Sequence, residues 1–356
     1  MQSGTTKDRS KMRAVKLVAP HRMEIQDVPI PEPQADEVLV KIAGAGLCHS
    51  DLHVLHMGDE WPFFGGTVGH EGAGWVERMG ASVEGFAIGD AVLVSVIYSC
   101  GQCRPCREGR DNACAVAGSR MQFPTTPGLG PDGAMAEYMV VKAANLDKLG
   151  DLDPVSAAPL ADAGVTPMHA INSARHRLTA TSTVVVTGLG GLGHLGLQIL
   201  KATTGVRIIA VDSDQSKLDM AARLGADMTI LSDRQAATKI LAATDEYGAD
   251  VVFDFVGVQP TVDLALAVVA PEGCIRFVGL GGGQFTYTAD SNGPIPWGVS
   301  IQRSYGGVRA DQLEVISLAQ RNLLHVETVT YPLDDFQRAF DDLEAGRVAG
   351  RAILVP

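Results

Sequence analysis

Thr183-Val184-Val185-Val186-Thr187-Gly188-Leu189-Gly190-Gly191-Leu192-Gly193 reads as a buried strand that runs straight into a G-x-G-x-x-G turn. Residues 194–203 then read as a helix, and residues 206–211 as a second strand ending in Asp212. Strand, glycine turn, helix and an acidic residue about 20 positions on are what dinucleotide binding requires. The glycines allow the tight turn and let a pyrophosphate approach the backbone, while the helix N-terminus stabilises its charge. A carboxylate at Asp212 accepts hydrogen bonds from ribose hydroxyls and repels a 2′-phosphate. Ser213-Asp214-Gln215-Ser216 bring no arginine to welcome that phosphate, so the reading is NAD rather than NADP. Lys217 either reaches the adenosine ribose or is an exposed helix lysine.

The same rhythm continues through strands at 226–231, 251–256 and 274–280, each bounded by glycine or aspartate. That alternation predicts an α/β fold with a doubly wound parallel sheet over about 140 residues. Cys274 lies on one of these strands and reads as core. Toward the C-terminus come a strand at 299–305, a helix at 310–321 and a last strand at 350–355. These have no place in the dinucleotide fold and are expected to return to the first part of the chain. That first part is different in kind. Short β-rich runs at 13–18, 23–28, 37–42, 68–79, 91–98 and 134–141 are broken by Pro29, Pro31, Pro33 and many glycines. They predict a twisted, barrel-like β domain. Residues 155–175 are alanine-rich and read as helical, with Pro154 suited to the start.

The chemistry-bearing residues cluster in the β-rich part. Leu47-Cys48-His49-Ser50-Asp51-Leu52-His53 offers a thiol, a hydroxyl, a carboxylate and two imidazoles, followed by Gly69-His70-Glu71. Thiolate and imidazole are ready zinc ligands. Asp162, set among Ala161, Ala163 and Gly164, reads either as a surface cap or as a ligand facing a crowded cleft. Further on stands Cys100-x2-Cys103-x2-Cys106-x7-Cys114 in a charged loop. This spacing suits one tetrahedral zinc held by four thiolates, closed and therefore structural. Two local disulfides, or simply free thiols, are the alternative, and disulfides do not suit a reducing compartment.

Composition narrows the function classes. The chain has 356 residues, 46% hydrophobic and 20% charged, enough for two domains with cores of their own. A formal charge of -12 speaks against a nucleic-acid surface or docking on anionic lipid. No apolar run approaches the ~18 residues of a membrane span, and residues 1–13 read as a loose polar tail without a signal-peptide core. The expected location is cytoplasmic.

Taken together, Cys48-His49-Ser50-Asp51-Leu52-His53, Gly69-His70-Glu71, the four-cysteine lobe and the glycine turn resemble one family: the zinc-dependent alcohol dehydrogenases of the medium-chain dehydrogenase/reductase superfamily. The resemblance is strongest to bacterial NAD-dependent secondary alcohol dehydrogenases and runs from residue 12 to residue 356. It implies a Rossmann NAD-binding domain over residues 164–303. It also implies a GroES-like catalytic domain over residues 1–163 and 304–356, with the structural-zinc lobe at 98–115. Cys48, His70 and Asp162 would hold a catalytic zinc, Asp162 standing where many members have a cysteine. Glu71 would lie behind the metal, either approaching it or ion-paired away from it. Asp51 would orient His70. Ser50 would take the alcohol proton and pass it through the nicotinamide ribose to His53, which meets solvent. Thr166 would pack against the nicotinamide, and His49 and Arg351 would contact the cofactor phosphates.

The implied protein is a homotetramer, or else a dimer, with NAD and two zinc ions per chain. It would interconvert alcohols with ketones or aldehydes. Trp61, Phe63, Phe64, Met121, Leu129 and Tyr305 are candidates for an apolar pocket wall, or equally for core or subunit contacts. An aromatic pocket would favour bulky hydrophobic or aryl secondary alcohols. A metal-free quinone or enone reductase of the same superfamily is the alternative. The Cys48, His70, Asp162 set and the cysteine lobe speak against it. A non-catalytic cofactor-binding protein would have no use for Ser50 and His53.

Overall fold

The computed structural model describes residues 10–122 and 124–356. Most of the tail expected over residues 1–13 lies outside them, and residues 11–13 already belong to the first strand. Two compact units emerge: Met1–Asp162 with Val308–Ile316 and Val326–Pro356, and Ala163–Gly307 with Ser317–His325.

The first unit begins with a hairpin of β1 (Lys11–Ala19) and β2 (Arg22–Pro29). There follow β3 (Glu37–Leu47), α1 (His49–His56), β4 (Glu71–Met79) and β5 (Ala91–Val94). The short turn of helix α2 (Arg104–Arg107) leads to β6 (Tyr138–Lys142), β7 (Leu146–Lys148) and α3 (Pro154–Ala157). β3 is the hub of the sheet. Its first half pairs with β6, and almost its whole length pairs with β4. Val38, Leu39, Val40, Ala45 and Leu47 on β3 are buried, as expected of a strand covered on both faces.

The second unit contains α4 (Val165–Ser173), β8 (Thr183–Thr187), α5 (Gly193–Thr203), β9 (Arg207–Asp212) and α6 (Gln215–Arg223). It continues with β10 (Met228–Leu231), α7 (Ala236–Ala243), β11 (Ala249–Asp254), α8 (Gln259–Val268), β12 (Val269–Phe277) and β13 (Ser300–Arg303). The sheet order is β10-β9-β8-β11-β12-β13 with every pair parallel. This is the doubly wound order, and its direction reverses between β8 and β11, beside the glycine turn. After α9 (Arg309–Gln320) the chain adds β14 (Thr328–Pro332), α10 (Phe336–Glu344) and β15 (Arg351–Val355) to the first unit's sheet. There β15 lies between β14 and β3. The expected α/β class and the return of the last strand are therefore both found. The strand expected at 299–305 does not return: as β13 it pairs in parallel with β12 and closes the second unit's sheet. The helix expected at 310–321 is divided, Val308–Ile316 lying with the first unit and Ser317–His325 with the second.

Several elements differ from the sequence reading for local reasons. Residues 155–175 form no single helix: α3 passes into a 3₁₀ turn, Ala158–Ala161, and α4 starts afresh at Val165. Pro159 has no amide hydrogen to continue the ladder. Asp162 sits in the break with φ −121° and ψ −58°. The strand expected at 68–79 starts only at Glu71, because Gly69 takes a φ of +94° that a strand does not allow. Helix α1 and strand β14 carry too little periodicity to be read from sequence, whereas α10 does carry a helical stripe, Phe336, Ala339, Phe340 and Leu343, that the reading passed over. Among the described residues no helix is long and apolar enough to cross a membrane.

Phe253 on β11 is fully buried and stacks on Phe255 at a centroid distance of 6.3 Å. Phe253→Ala is expected to cost about 3–5 kcal/mol, measured as a lower midpoint in denaturant for the second unit, with Phe253→Leu falling between it and the parent.

Candidate active site

Cys48 ends the run of β3 and caps α1, with extended backbone at φ −113° and ψ 159°. The cap is held by Asp51, whose Oδ2 accepts the Cys48 amide at 2.9 Å. The other oxygen, Oδ1, lies 3.2 Å from His70 Nδ1. One buried carboxylate thus holds two candidate ligands at once. Because Asp51 can only accept, the ring proton belongs on Nδ1 and the Nε2 lone pair is left for a metal. Nε2 faces Asp162 Oδ2 at 3.6 Å, and Cys48 Sγ lies 3.6 Å from the same oxygen.

All three ligand atoms fall within 4.8 Å of one another. A tetrahedral zinc with bonds of about 2.0–2.3 Å would space its ligands by roughly 3.3–3.8 Å. The residues therefore fit the metal. Burial disfavours a cationic His70, but Asp51, Asp162 and Cys48 around it hold its pKa well above the ordinary value. Anions that hold a proton this firmly will also hold a metal cation.

Behind this group, Glu71 and Arg351 form a buried pair. Arg351 Nε donates to Glu71 Oε2 at 2.9 Å and its Nη2 donates to Oε1. The same Nη2 lies 3.5 Å from Asp162 Oδ2. Burial works against the guanidinium, but Cys48, Glu71 and Asp162 keep it charged, with its pKa well above the usual arginine range. Arg351 is therefore not the surface residue on an edge strand that it would be by default: it is 3% exposed, on a strand paired on both sides. Gly46 makes room for the pair, since a Cβ there would come within 1.9 Å of Glu71 Oε2.

The proton-relay candidates share α1. Ser50 is half-buried with Oγ 3.8 Å from Cys48 Sγ, and His53 is exposed one turn later. His49 is exposed at the start of the same helix. The four cysteines of the lobe also converge, Cys103 Sγ lying 3.3 Å from Cys106 and 3.9 Å from Cys114. Cys100 completes the group within 4.8 Å. None of the six cysteines is in a disulfide. Backbone amides of Cys100 and Ala117 point at Cys114 Sγ, and that of Cys103 at Cys100 Sγ, as thiolates require.

In the second unit, Gly188 turns with φ +84° under Val256, where a Cβ would meet a methyl at 2.3 Å. A Cβ on Gly193 would strike the Gly188 carbonyl at 1.7 Å, while one on Gly190 would meet nothing within 4 Å. That open side of Gly190 is where a pyrophosphate would approach. Asp212 Oδ2 accepts the Leu189 amide at 2.7 Å and Oδ1 the Asp214 amide at 3.0 Å, so it braces the turn. Leu192 caps α5, Lys217 is half-buried on α6, and Thr166 is buried on α4. Two residues here escaped the sequence reading. Asp254, buried at the end of β11, accepts from the Val256 and Gly257 amides and from Thr261 Oγ1. An acidic residue closing a parallel strand, as Asp212 does, was the available signal. Gly46 left no signal, because its partner lies on another strand.

Asp51→Asn keeps the size but gives up one of the two bonds, since an amide has a single acceptor. It is expected to weaken metal binding at Cys48, His70 and Asp162 by about 10–100-fold, measured by chelator competition, with the four-cysteine lobe unaffected.

The family model described as an alcohol dehydrogenase GroES-like domain matches residues 34–151, and the one described as a zinc-binding dehydrogenase matches residues 191–321. An NAD-dependent alcohol dehydrogenase of Sulfurisphaera tokodaii is 36% identical, covering 97% of this chain and 100% of its own. A D-arabinose 1-dehydrogenase (NADP(+)) of Saccharolobus solfataricus is 36% identical, covering 94% of each. Among solved structures, the alcohol dehydrogenase of Aeropyrum pernix superposes with a TM-score of 0.87 at 34% identity, covering 97% of this chain and 100% of its own. Acetophenone reductase from Geotrichum candidum, solved with NAD, gives 0.84 at 30% identity, covering 98% of each. Sequence and fold agree along nearly the whole length, and the chain belongs to the zinc-type alcohol dehydrogenases of the medium-chain dehydrogenase/reductase superfamily.

Proposed function

We propose that this chain oxidises secondary, hydrophobic or aryl alcohols to ketones with NAD, and runs the reverse reduction, using a catalytic zinc at Cys48, His70 and Asp162. The convergence of those three ligand atoms, backed by a buried Asp51 that sets the histidine tautomer, carries the reading. Three protein ligands suit a catalytic zinc, and the four thiolates of Cys100, Cys103, Cys106 and Cys114 suit a structural one, giving two zinc ions per chain. When bound, the catalytic zinc supplies Lewis-acid polarisation of the substrate oxygen, and the nicotinamide supplies hydride chemistry. The protein's own part is to orient and to move a proton. Ser50 takes the alcohol proton and His53, one turn on and exposed, releases it to solvent. Glu71, held by Arg351, balances charge behind the ligands rather than joining them.

The first unit acts as the catalytic domain and the second as the nucleotide domain. Of the residues expected in the catalytic domain, 1–163 with 304–356, positions 163, 304–307 and 317–325 lie with the second unit. Gly188 to Gly193 cradle the pyrophosphate, with Leu189 and Leu192 supplying backbone and Thr166 lying against the nicotinamide. Asp212 at the end of β9 supports NAD, although one relative is named for NADP(+). Lys217, His49 and Arg351 complete the cofactor set, Arg351 while still paired with Glu71.

Trp61 and Phe63 meet edge to face at 5.6 Å, and this aromatic pair supports an aryl substrate, as does the acetophenone reductase relative. A four-cysteine lobe read as a zinc site rather than as disulfides supports a cytoplasmic protein. The exposed edge strand β13 and the nearby exposed Leu280, Tyr287 and Trp297 support self-association, which the resemblance takes to a homotetramer.

The experiment is zinc content per chain with NAD-linked turnover of 1-phenylethanol, ethanol and D-arabinose, before and after chelation. Two zincs, loss of activity as the first leaves, and preference for the aryl alcohol are expected. Unchanged turnover after the chelated metal has left would return the metal-free reductase. Ser50→Ala is expected to lower kcat by about 10²–10⁴-fold with both metals retained.

A further inference from the structure

The turn at residues 128–133 carries no residue of the proposed metal, relay or cofactor sets, yet it rests on the backbone just before His70. A Cβ at Gly128 would come within 2.6 Å of the Gly69 backbone, and one at Gly133 within 2.2 Å of the Gly69 carbonyl. Gly69 itself, at φ +94°, has no room for a Cβ against Met135. Three hydrogen bonds stitch the segments: Gly133 N to Thr67 O at 2.8 Å, Met135 N to Val68 O at 3.0 Å, and Ala134 N to Gly69 O at 2.8 Å. The path of residues 67–69 is thus set by the turn, and His70 is the next residue along it.

A single carboxylate closes the turn onto that path. Asp132 Oδ1 accepts from Lys16 Nζ at 2.9 Å and from the Thr67 amide at 2.7 Å. Lys16 comes from β1, where its backbone bridges to Thr67. Its side chain is only 11% exposed, while that of Asp132 is 67% exposed. A lysine so far from water needs an anion, and Asp132 is the carboxylate paired with it. The pair therefore ties three segments: β1, the turn, and the residues leading into His70.

We propose that Lys16 and Asp132 are positioning residues for the metal ligand His70, clamping the turn that fixes the histidine's backbone. The inference rests on the proposed metal site. Neither side chain touches metal or substrate, and their effect reaches the site only through Thr67, Gly69 and His70.

The test places Co²⁺ in the Cys48, His70, Asp162 site with zinc left in the cysteine lobe. Visible absorption and the rate of cobalt loss to a chelator are then read for the parent, Asp132→Asn, Asp132→Ala, Lys16→Met and Lys16→Arg. Asp132 is mostly exposed, so its variants are expected to fold. Asp132→Ala and Lys16→Met should lose cobalt about tenfold faster with a shifted spectrum, in the lower part of the range for outer partners of metal ligands. Lys16→Arg, which keeps the cation, should restore both readouts. Glu32→Gln, which removes an exposed ion pair with Arg78, should match the parent. Parental spectra and release rates in both Asp132 variants, even with a lowered melting temperature, would overturn the positioning role alone. A parent that takes up no cobalt at the three ligands would overturn the metal-site reading, and this inference with it.

Discussion

A buried guanidinium and a buried carboxylate, Arg351 and Glu71, make the site of this enzyme possible. Cys48, Asp51, Glu71 and Asp162 place four acidic groups close together, mostly out of water, where unbalanced charge is costly. Arg351 faces Glu71 through two bonds and lies near Asp162, so one cation answers two carboxylates. Breaking such a pair by removing one partner typically costs about 3–5 kcal/mol, because the other is left charged and unmatched. The sheet order follows from this need. β15 is inserted between β14 and β3, which brings Arg351 beside the strand that ends at Leu47, just before Cys48, and near the one that begins at Glu71.

Glycines supply the second constraint. Gly46 leaves space for the Glu71 carboxylate, and Gly128 and Gly133 let a turn press on Gly69. Gly188 and Gly193 press on each other in the nucleotide turn, while Gly190 stays open. Within the first unit, Gly69, Gly128 and Gly133 crowd the segment that delivers His70. The residues proposed as metal ligands are accordingly set by closely packed backbone.

How much of this the sequence disclosed depended on whether the cause was local. The parallel strands Val184-Val185-Val186 and Val251-Val252-Phe253 are continuous apolar runs between glycines and aspartates, and nothing distant is needed to read them. Cys48 to His53 and the four lobe cysteines are legible for the same reason: ligand chemistry is written in residue type and short spacing. Asp162 was ambiguous, because its role comes from the break that Pro159 makes before α4. Arg351 was recognisable only through resemblance, since burial is decided by β3 and Glu71, some 280 positions away. The exact strand starts at Glu71 and Tyr138 depend on Gly69 and the turn packed against it, a tertiary contact with no periodicity. Helix α1 was missed although the Cys48 and Asp51 capping pair was in view, because the ligand chemistry hid the cap.

The order of the units along the chain bears on how the protein comes to be made. Residues 1–162 leave the ribosome before the second unit does and already contain Cys48, His70, Glu71 and Asp162. β14 and β15, which complete their sheet, follow only after nearly the whole second unit has been synthesised. A nascent chain therefore carries Glu71 without its guanidinium while the second unit is able to fold on its own account. The first unit to be started is the last to be finished, and sealing Glu71 away from water belongs among the closing steps of folding.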